Sequence, residues 1–175
     1  MTALTRHKVI TMVQPEPGFT EEIAKNGGSS VLLCFQCGTC TAGCPSGKIT
    51  AYRTRKLMRA AQLGLKEETI KSDDLWQCTT CYTCAERCPR DVQIVDVITA
   101  LRNIAVANGK LFEGHKKVAL NLVKFGHTVD NPDKIKALRK ELGLPENPPT
   151  VLDNEAAKAD FDKILKATGF CKVVS

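Results

Sequence analysis

The chain has 175 residues, of which 25 are Lys or Arg and 19 are Asp or Glu, giving a formal net charge of +6. This length fits one domain, or a compact core with an appendage, and it can bury a core without disulfide support. The chain contains no run of about 18 apolar residues and no apolar secretory segment at its N-terminus. We therefore expect neither a membrane span nor an extracellular disulfide framework.

The first 28 residues predict a short helix behind an irregular arm. Residues 1–17 are mixed in composition and contain two prolines, which is typical of an arm that is either loose or laid on a partner. Phe19–Lys25 has the pattern of a short helix that Gly27 and Gly28 end. We therefore assign residues 1–28 to an N-terminal arm and short helix.

Helices also fill the middle of the chain. Apolar residues recur at helical spacing, without any alternating strand pattern, over Tyr52–Leu63 and Lys66–Trp76. A longer helix follows, with Asp91 as its N-cap and with Asn108 and Gly109 at its end. Its wide apolar stripe predicts that it is the spine of the domain.

The last third of the chain predicts three more helices. They cover Glu113–Lys124, the segment between Asn131 and Gly143, and a final helix that Asp153 caps and Gly169 ends. These predicted helices leave almost no segment of the chain for β-strands. The sequence therefore predicts an all-α protein.

Eight of the nine cysteines form two copies of one pattern that ends in proline. The first run is Cys34, Cys37, Cys40 and Cys44 before Pro45, and the second is Cys78, Cys81, Cys84 and Cys88 before Pro89. This pattern holds 4Fe-4S clusters, and in two-cluster proteins the fourth cysteine of each run ligates the cluster of the other run. We therefore predict one cluster on Cys34, Cys37, Cys40 and Cys88, and a second on Cys78, Cys81, Cys84 and Cys44.

Other interpretations of the cysteines are weaker. A zinc site would use two cysteine pairs per ion, whereas each run here carries four cysteines and ends in Cys-Pro. A disulfide framework conflicts with the odd cysteine count, so we expect a reducing compartment. Cys171 stands alone near the C-terminus, and a free thiol is favoured there over a ligand or a redox sensor because nothing nearby would lower its pKa.

The charge pattern leaves two interpretations open. Each oxidised cubane with four thiolates carries about −2, which brings the loaded protein near +2 and removes the charge argument for nucleic-acid binding. A local basic cluster follows the first run and consists of Lys48, Arg53, Arg55, Lys56 and Arg59. It is either a solvated helix face beside two anionic clusters or a docking patch for an acidic surface of a redox partner.

The two cysteine loops differ in bulk. Gly38, Ala42 and Gly43 in the first loop allow backbone N–H groups to approach the cluster sulfurs, where hydrogen bonds raise the reduction potential. The second loop carries Tyr82 and Arg87 instead. We predict that the two clusters differ in midpoint potential.

Three segments closely resemble the C subunit of heterodisulfide reductase: CFQCGTCTAGCP, RKLMRAAQLGL and DLWQCTTCYTCAERCPRDV. The resemblance spans roughly residues 30–105 and includes every cysteine of both runs. Together with the helical pattern, it implies an α-helical ferredoxin domain over residues 29–109 that binds two 4Fe-4S clusters. Residues 110–175 then form a helical C-terminal extension that binds partners.

The resemblance implies an electron relay within a cytoplasmic complex. In that family, the A subunit holds FAD and further clusters and connects to a hydrogenase or formate dehydrogenase. The B subunit holds clusters on CCG motifs and reduces the disulfide of coenzymes M and B in methanogenesis. This chain contains no Cys-Cys pair and so would have no catalytic residues of its own. A related complex in a non-methanogen and a free, diffusible two-cluster ferredoxin stay open as alternatives.

Overall fold

A computed structural model describes residues 14–174, and every regular element within that range is helical. Residues 1–13 of the predicted arm and Ser175 lie outside the described range. The helical architecture confirms the predicted all-α class. The chain divides into two compact units, the first ending at Asn108 and the second beginning at Gly109.

In the first unit, short helices surround one long helix. The described helices are α1 Phe19–Ile23, α2 Thr39–Ala42, α3 Pro45–Ile49, α4 Thr54–Gln62, α5 Lys66–Lys71, α6 Thr83–Glu86 and α7 Ile94–Ala107. A π-helical turn at Ala24–Gly28 and 3-10 turns at Ser29–Leu33 and Asp73–Gln77 lie between them. The two cysteine runs occupy the segments around α2 and α6.

Helix α7 is the centre of the hydrophobic core of the first unit. Its buried residues are Ile94, Val95, Val97, Ile98, Ala100, Leu101, Ile104 and Ala105. Phe19 and Ile23 of α1 and Leu57 and Met58 of α4 are buried in the same core. The segment that the sequence assigns to a separate short helix therefore packs with the cluster-bearing helices.

Gly28 allows the turn after α1 to lie directly against α7. A Cβ atom at this position would be 2.5 Å from Ile23 Cγ2 and 3.2 Å from Val97 Cα. The first distance is shorter than real contacts between carbon atoms and the second is tighter than most of them. Any larger residue would therefore displace Ile23 and press on the backbone of α7. The neighbouring Gly27 has a φ of +100°, which ends the regular helical path.

The second unit consists of amphipathic helices with little buried surface of their own. Its helices are α8 Glu113–Phe125, α9 Asp133–Glu141, α10 Glu155–Thr168 and α11 Phe170–Val174, with a 3-10 turn at Val151–Asp153. Among its described residues, Leu165 is the one buried large hydrophobic side chain. Exposed large hydrophobic side chains are Phe112, Val118, Leu120, Phe125, Val129, Ile135, Leu138, Leu142, Leu144, Ile164 and Val173.

None of the described helices is both long and apolar enough to cross a bilayer. The longest ones, α7 and α10, have 14 residues each. A spanning helix needs about 20 apolar residues.

Two predicted helix caps are wrong. Asp91 lies before the start of α7 with a φ of +51°, whereas an N-cap residue is normally extended. Its left-handed backbone turns the chain after the second cysteine run instead. At α10 the N-cap is Asn154, whose side chain accepts a backbone hydrogen bond. Asp153 belongs to the preceding turn, where its carboxylate accepts the N–H of Thr150 at 2.7 Å.

Candidate iron-sulfur centres

Each predicted cysteine set surrounds its own small cavity in the first unit. Cys34, Cys37, Cys40 and Cys88 line the first cavity. Cys44, Cys78, Cys81 and Cys84 line the second cavity. Each cavity thus combines three cysteines of one run with the fourth cysteine of the other. Cys171 is exposed on α11 of the second unit and lines neither cavity.

The two cysteine loops follow the same backbone path. Two residues after the first cysteine of each run, Gln36 and Thr80 have φ values of 66° and 52°. One residue after the second cysteine, Gly38 and Tyr82 have φ values of 90° and 60°. Of these four, only glycine adopts the left-handed region without strain. The bulkier second loop therefore keeps the same turn at the cost of strain at Thr80 and Tyr82.

A threonine at the start of a short helix contacts the second cysteine of each run. Thr39 Oγ1 lies 3.3 Å from Cys37 Sγ, and Thr83 Oγ1 lies 3.5 Å from Cys81 Sγ. These hydroxyl contacts, together with backbone N–H groups, hold the pKa of both thiols below the usual value. Since iron is bound by the thiolate form, the two threonines favour the ligating state.

The third cysteine of each run is in the opposite environment. Burial raises the pKa of the Cys40 thiol, and burial with nearby cysteines raises the pKa of Cys84 to about 11. Such buried thiols ionise only when a cation compensates the charge, and the iron of a cluster supplies that charge. Cys37 and Cys81 are exposed, so each site has a buried interior side and an outer edge at the surface.

The side chain of Gln62, in α4, holds the start of the first run in place by hydrogen bonds. Its Nε2 atom donates to the carbonyl oxygens of Val31 and Cys34, at 3.1 and 2.7 Å. Its Oε1 atom accepts from Gln36 Nε2 at 2.9 Å, and the same Gln36 nitrogen lies 3.5 Å from Cys34 Sγ. One amide side chain therefore fixes both the entry to the loop and the orientation of a donor toward the Cys34 sulfur.

Arg102, in α7, has the corresponding role at the second run. Its Nε atom donates to the Leu75 carbonyl oxygen at 2.8 Å, and its Nη2 atom donates to the Cys78 carbonyl oxygen at 2.6 Å. The guanidinium also lies 5.6 Å from the centroid of the Trp76 ring. The long core helix thus holds the segment that enters the second cavity.

Reciprocal hydrogen bonds join each run to the segment before the other. Ser46, just after the first run, donates its hydroxyl to the Gln77 carbonyl oxygen at 2.8 Å. Gln93, after the second run, donates its backbone N–H to Ser30 Oγ at 3.0 Å. These hydrogen bonds therefore join the two runs independently of any cluster that cysteines of both runs bind.

Comparison with known proteins identifies the family. Residues 30–92, which include all eight cysteines of the runs, match the model of a 4Fe-4S dicluster domain. The chain is 50% identical over 159 residues to the iron-sulfur C subunit of the CoB--CoM heterodisulfide reductase of Methanopyrus kandleri, covering 91% of this chain and 81% of the relative. The chain belongs to the family of heterodisulfide reductase C subunits.

Other relatives of the C-subunit family match over similar lengths. The C subunit of the H(2):CoB-CoM heterodisulfide,ferredoxin reductase of Methanothermobacter marburgensis is 46% identical over 175 residues, covering 99% of this chain and 95% of the relative. A heterodisulfide reductase C-subunit-like protein of Archaeoglobus profundus is 34% identical over 158 residues, covering 87% and 81%. These matches confirm the resemblance stated from the cysteine motifs.

As a member of the C-subunit family, the protein carries two 4Fe-4S clusters. The residues present fit that cofactor, because two groups of four thiols surround separate cavities. When bound, such clusters accept and release single electrons, so the protein has an electron-transfer role. No three of the described His, Cys, Asp and Glu side chains come close enough to ligate one metal ion.

Two polar groups at the sites of this C-subunit family member were missed by sequence reasoning. Gln62 and Arg102 lie 28 and 24 residues from the cysteines whose carbonyls they bind, and local spacing gives no signal for such contacts. A weaker signal existed for Arg102, since it is an arginine within a helix that is otherwise strongly apolar.

Tyr52 is a buried residue of the second cavity that the sequence analysis placed at the start of a helix. It lies before α4, is 1% exposed, and lines the cavity beside Cys44 and Cys78. Its hydroxyl forms no hydrogen bond with any described atom. Burial, more than any neighbouring group, raises the pKa of the phenol.

Proposed function

We propose that this chain passes single electrons through its two 4Fe-4S clusters between partner subunits of a heterodisulfide reductase complex. The A subunit, with FAD and further clusters, supplies the electrons. The B subunit, with CCG motifs, uses them to reduce the disulfide of coenzymes M and B. The observation that carries this proposal is the pair of cavities, each lined by three cysteines of one run and one of the other.

The crossed cysteine sets support a relay because they bring the two sites close together. Cys40 lines the first cavity and Cys44 lines the second, although they are four residues apart in the chain. Their Cα atoms are therefore at most about 14 Å apart. The exposed Cys37 and Cys81 give each site an outer edge. An electron can enter at one edge and leave at the other.

The disulfide chemistry is assigned to a partner. The sequence contains no adjacent pair of cysteines and therefore no CCG motif. The eight motif cysteines are all used as cluster ligands in the proposed arrangement, and Cys171 is remote from them in sequence. The chain thus acts as a relay subunit without catalytic residues, within an oxidoreductase whose reaction takes place elsewhere.

Stable assembly is favoured over a free, diffusible ferredoxin. The described part of the second unit exposes eleven large hydrophobic side chains and buries one. Monomeric soluble proteins rarely leave large apolar areas uncovered, and obligate interfaces are rich in them. We place the complex in the cytoplasm, since free thiols and thiolate clusters persist in a reducing compartment.

The terminal substrate is proposed from the relatives. Those of Methanopyrus kandleri and Methanothermobacter marburgensis are named for coenzymes B and M, and the second is also named for H2, which supports a hydrogen-derived electron supply through the flavin-containing A subunit. The Archaeoglobus profundus relative is named without any coenzyme. A related complex that acts on another sulfur compound, in a non-methanogen, is therefore the second candidate.

Native mass spectrometry of the complex tests the proposal. The complex is isolated without oxygen from the source organism through a tag on this chain, and both the cluster mass and the co-purifying subunits are measured. We expect two cubanes on this chain together with a flavoprotein and a subunit with CCG motifs. A lone chain with two cubanes would support the diffusible ferredoxin, and zinc in place of iron would overturn the assignment.

A further inference from the structure

A basic groove lies beside the first cavity. Arg53, Arg55, Lys56 and Arg59 line it, and Glu68 is the one acidic residue among its lining residues. Lys48, which the sequence grouped with these cations, is not part of the lining. Lys56 also pairs with Asp74, outside the lining, at 3.6 Å. Four cations against two carboxylates still give the groove a positive potential that attracts acidic surfaces.

Exposed apolar side chains and a cluster ligand form the other part of this groove. Leu32 and Phe35 are 67% and 60% exposed. Both line the groove together with Cys34, a ligand of the first cluster. Exposed leucine and phenylalanine next to a redox centre leave apolar surface in water that a docked protein would cover. Exposed apolar side chains next to arginines are typical of a protein interface.

We propose that this basic groove docks an acidic, partly apolar surface of a redox partner subunit, so that the first cluster exchanges electrons at this face. The proposal rests on the relay function, and it adds the surface at which one partner binds. We choose an acidic partner surface because its charge is complementary to the cations that line the groove. Charged residues at the border of an interface mainly increase the rate of association and make binding sensitive to salt.

Salt-dependent co-purification tests the docking surface. Tagged versions of this chain are produced in the source organism, and the identified redox subunits retained per loaded chain are measured as KCl is raised. The test variant is Lys56→Gln/Arg59→Gln on α4. The matched control, Lys25→Gln/Lys71→Gln, removes two exposed lysines of the first unit that do not line the groove. We expect the test variant to retain at least fivefold less partner at a KCl concentration where the wild type and control retain it.

Three outcomes separate this proposal from the relay itself. Equal retention by the test and control variants overturns the docking surface. Loss of partner from both variants also overturns it, because total charge rather than the groove would then matter. A wild-type chain that lacks two cubanes contradicts the relay function, and iron and sulfide analysis of each sample detects that case.

A second, independent observation concerns the buried hydroxyl of Tyr52. No described atom meets the geometry of a hydrogen bond to it, although the side chains of Thr54 and Cys78 lie near enough to act on its pKa. Buried polar groups almost always have a partner. The residue is held firmly, because its N–H donates to Thr50 Oγ1 at 3.2 Å and its carbonyl oxygen accepts from Arg53 at 2.7 Å. The hydroxyl belongs to the lining of the second cavity, beside Cys44 and Cys78.

We propose that the Tyr52 hydroxyl donates a hydrogen bond to a sulfur of the second cluster and so raises its midpoint potential. Thiolate and sulfide sulfurs of an iron-sulfur cluster accept hydrogen bonds, and such bonds stabilise the reduced, more negative state. A tyrosine hydroxyl has an ordinary pKa near 10 and is a donor at neutral pH. A sulfur of the second cluster would thus be the hydrogen-bond acceptor that no described residue provides in the right geometry.

Redox titration of the loaded full-length chain tests this role. Tyr52→Phe removes the hydroxyl and keeps the ring. At a potential near the wild-type midpoint of the second cluster, we expect its ratio of reduced to oxidised form to fall about tenfold, equal to about 59 mV for one electron. Thr39→Val, which removes the hydroxyl next to Cys37, identifies the midpoint of the first cluster. Thr69→Val, which removes a buried hydroxyl of α5 that lines neither cavity, is the control.

The outcomes decide the proposal whether or not the variant loads fully. A drop in the second midpoint alone, absent from Thr69→Val, supports the proposal. An unchanged midpoint, or equal shifts at both clusters, overturns it. If Tyr52→Phe loads fewer than two clusters, electron-nuclear double resonance of the wild type in heavy water replaces it. That experiment detects an exchangeable proton coupled to the second cluster, and finding none overturns the proposal.

Discussion

Replacing Arg102 with methionine should loosen the second cysteine run and leave the first in place. Methionine has a similar length but donates nothing, so the carbonyl oxygens of Leu75 and Cys78 lose their 2.8 and 2.6 Å partners. A hydrogen bond to a charged group contributes about 1.5–3 kcal/mol. Because both bonds come from one side chain and water can partly replace it, we expect a total loss of about 2–3 kcal/mol.

The release of each cluster to an iron chelator measures this loss. Release requires local opening of the run that holds the cluster, and Arg102 resists that opening at the second run. A loss of about 2–3 kcal/mol corresponds to opening that is about 30- to 140-fold more frequent. Anoxic release followed by visible absorption and electron paramagnetic resonance should therefore show faster loss of the second cluster and a nearly unchanged first cluster.

An exposed arginine provides the matched control. Arg59→Met makes the same chemical change on the exposed face of α4, where substitutions usually alter stability by less than about 0.5 kcal/mol. We expect its release rates to stay within about threefold of the wild type. The prediction is wrong if the release rate of the second cluster in Arg102→Met also stays within threefold of the wild type. It is equally wrong if Arg102→Met accelerates the loss of both clusters by the same factor.

Three further predictions concern other contacts. Gln62→Leu removes two hydrogen bonds to backbone carbonyl oxygens at the entry to the first run. The first cluster should then be released to a chelator faster, by a factor equivalent to about 1–2 kcal/mol. Selective loss of the second cluster would contradict this prediction. Gly28→Ala places a Cβ 3.2 Å from Val97 Cα. It should lower the free energy of unfolding, measured in urea, by about 1–3 kcal/mol. An unchanged urea midpoint would show instead that the core rearranges to accept the methyl group. Asp130, bonded to Lys117 and Asn121, should titrate below the usual carboxyl pKa in a carbon-13 titration, because both partners favour its charged form. Its contribution to stability is present above the unfolded pKa and is lost as the pH falls through the lower folded pKa; a usual or raised value would be the contrary result.

The parts of the fold that the sequence predicted are set by local spacing. The cysteines of each run are three or four residues apart, and this spacing with the final proline is enough to predict clusters and crossed sets. The structure places those sets around two cavities, while the ligand assignment itself stays a prediction. Helix positions followed in the same way, because apolar period and glycine stops are local features.

The parts that were missed depend on contacts between distant residues or on backbone angles. Asp91 has the side chain of an N-cap, but its φ of +51° is set by the turn after the second run. Tyr52 fits a helical apolar pattern, and only the folded chain shows that it precedes α4 and lines a cavity. Arg102 would be read as a solvent-facing residue until its carbonyl partners are known. In each case the tertiary structure decides between local options of similar free energy.

The proposed crossed ligation makes cluster binding and folding of the first unit one process. Helices α2 and α6 have four residues each. Each carries a cysteine of one cavity, and a cysteine of the other cavity follows two residues after the helix ends. Loss of either cluster would therefore free cysteines in both runs. Six of the eight motif cysteines are in or packed against the core around α7. Since the free energy of binding a cofactor adds to that of folding, the core helix stabilises the clusters and the clusters stabilise the core. For this reason we expect Gln62 and Arg102, which line neither cavity, to support the binding of the clusters as well as the fold.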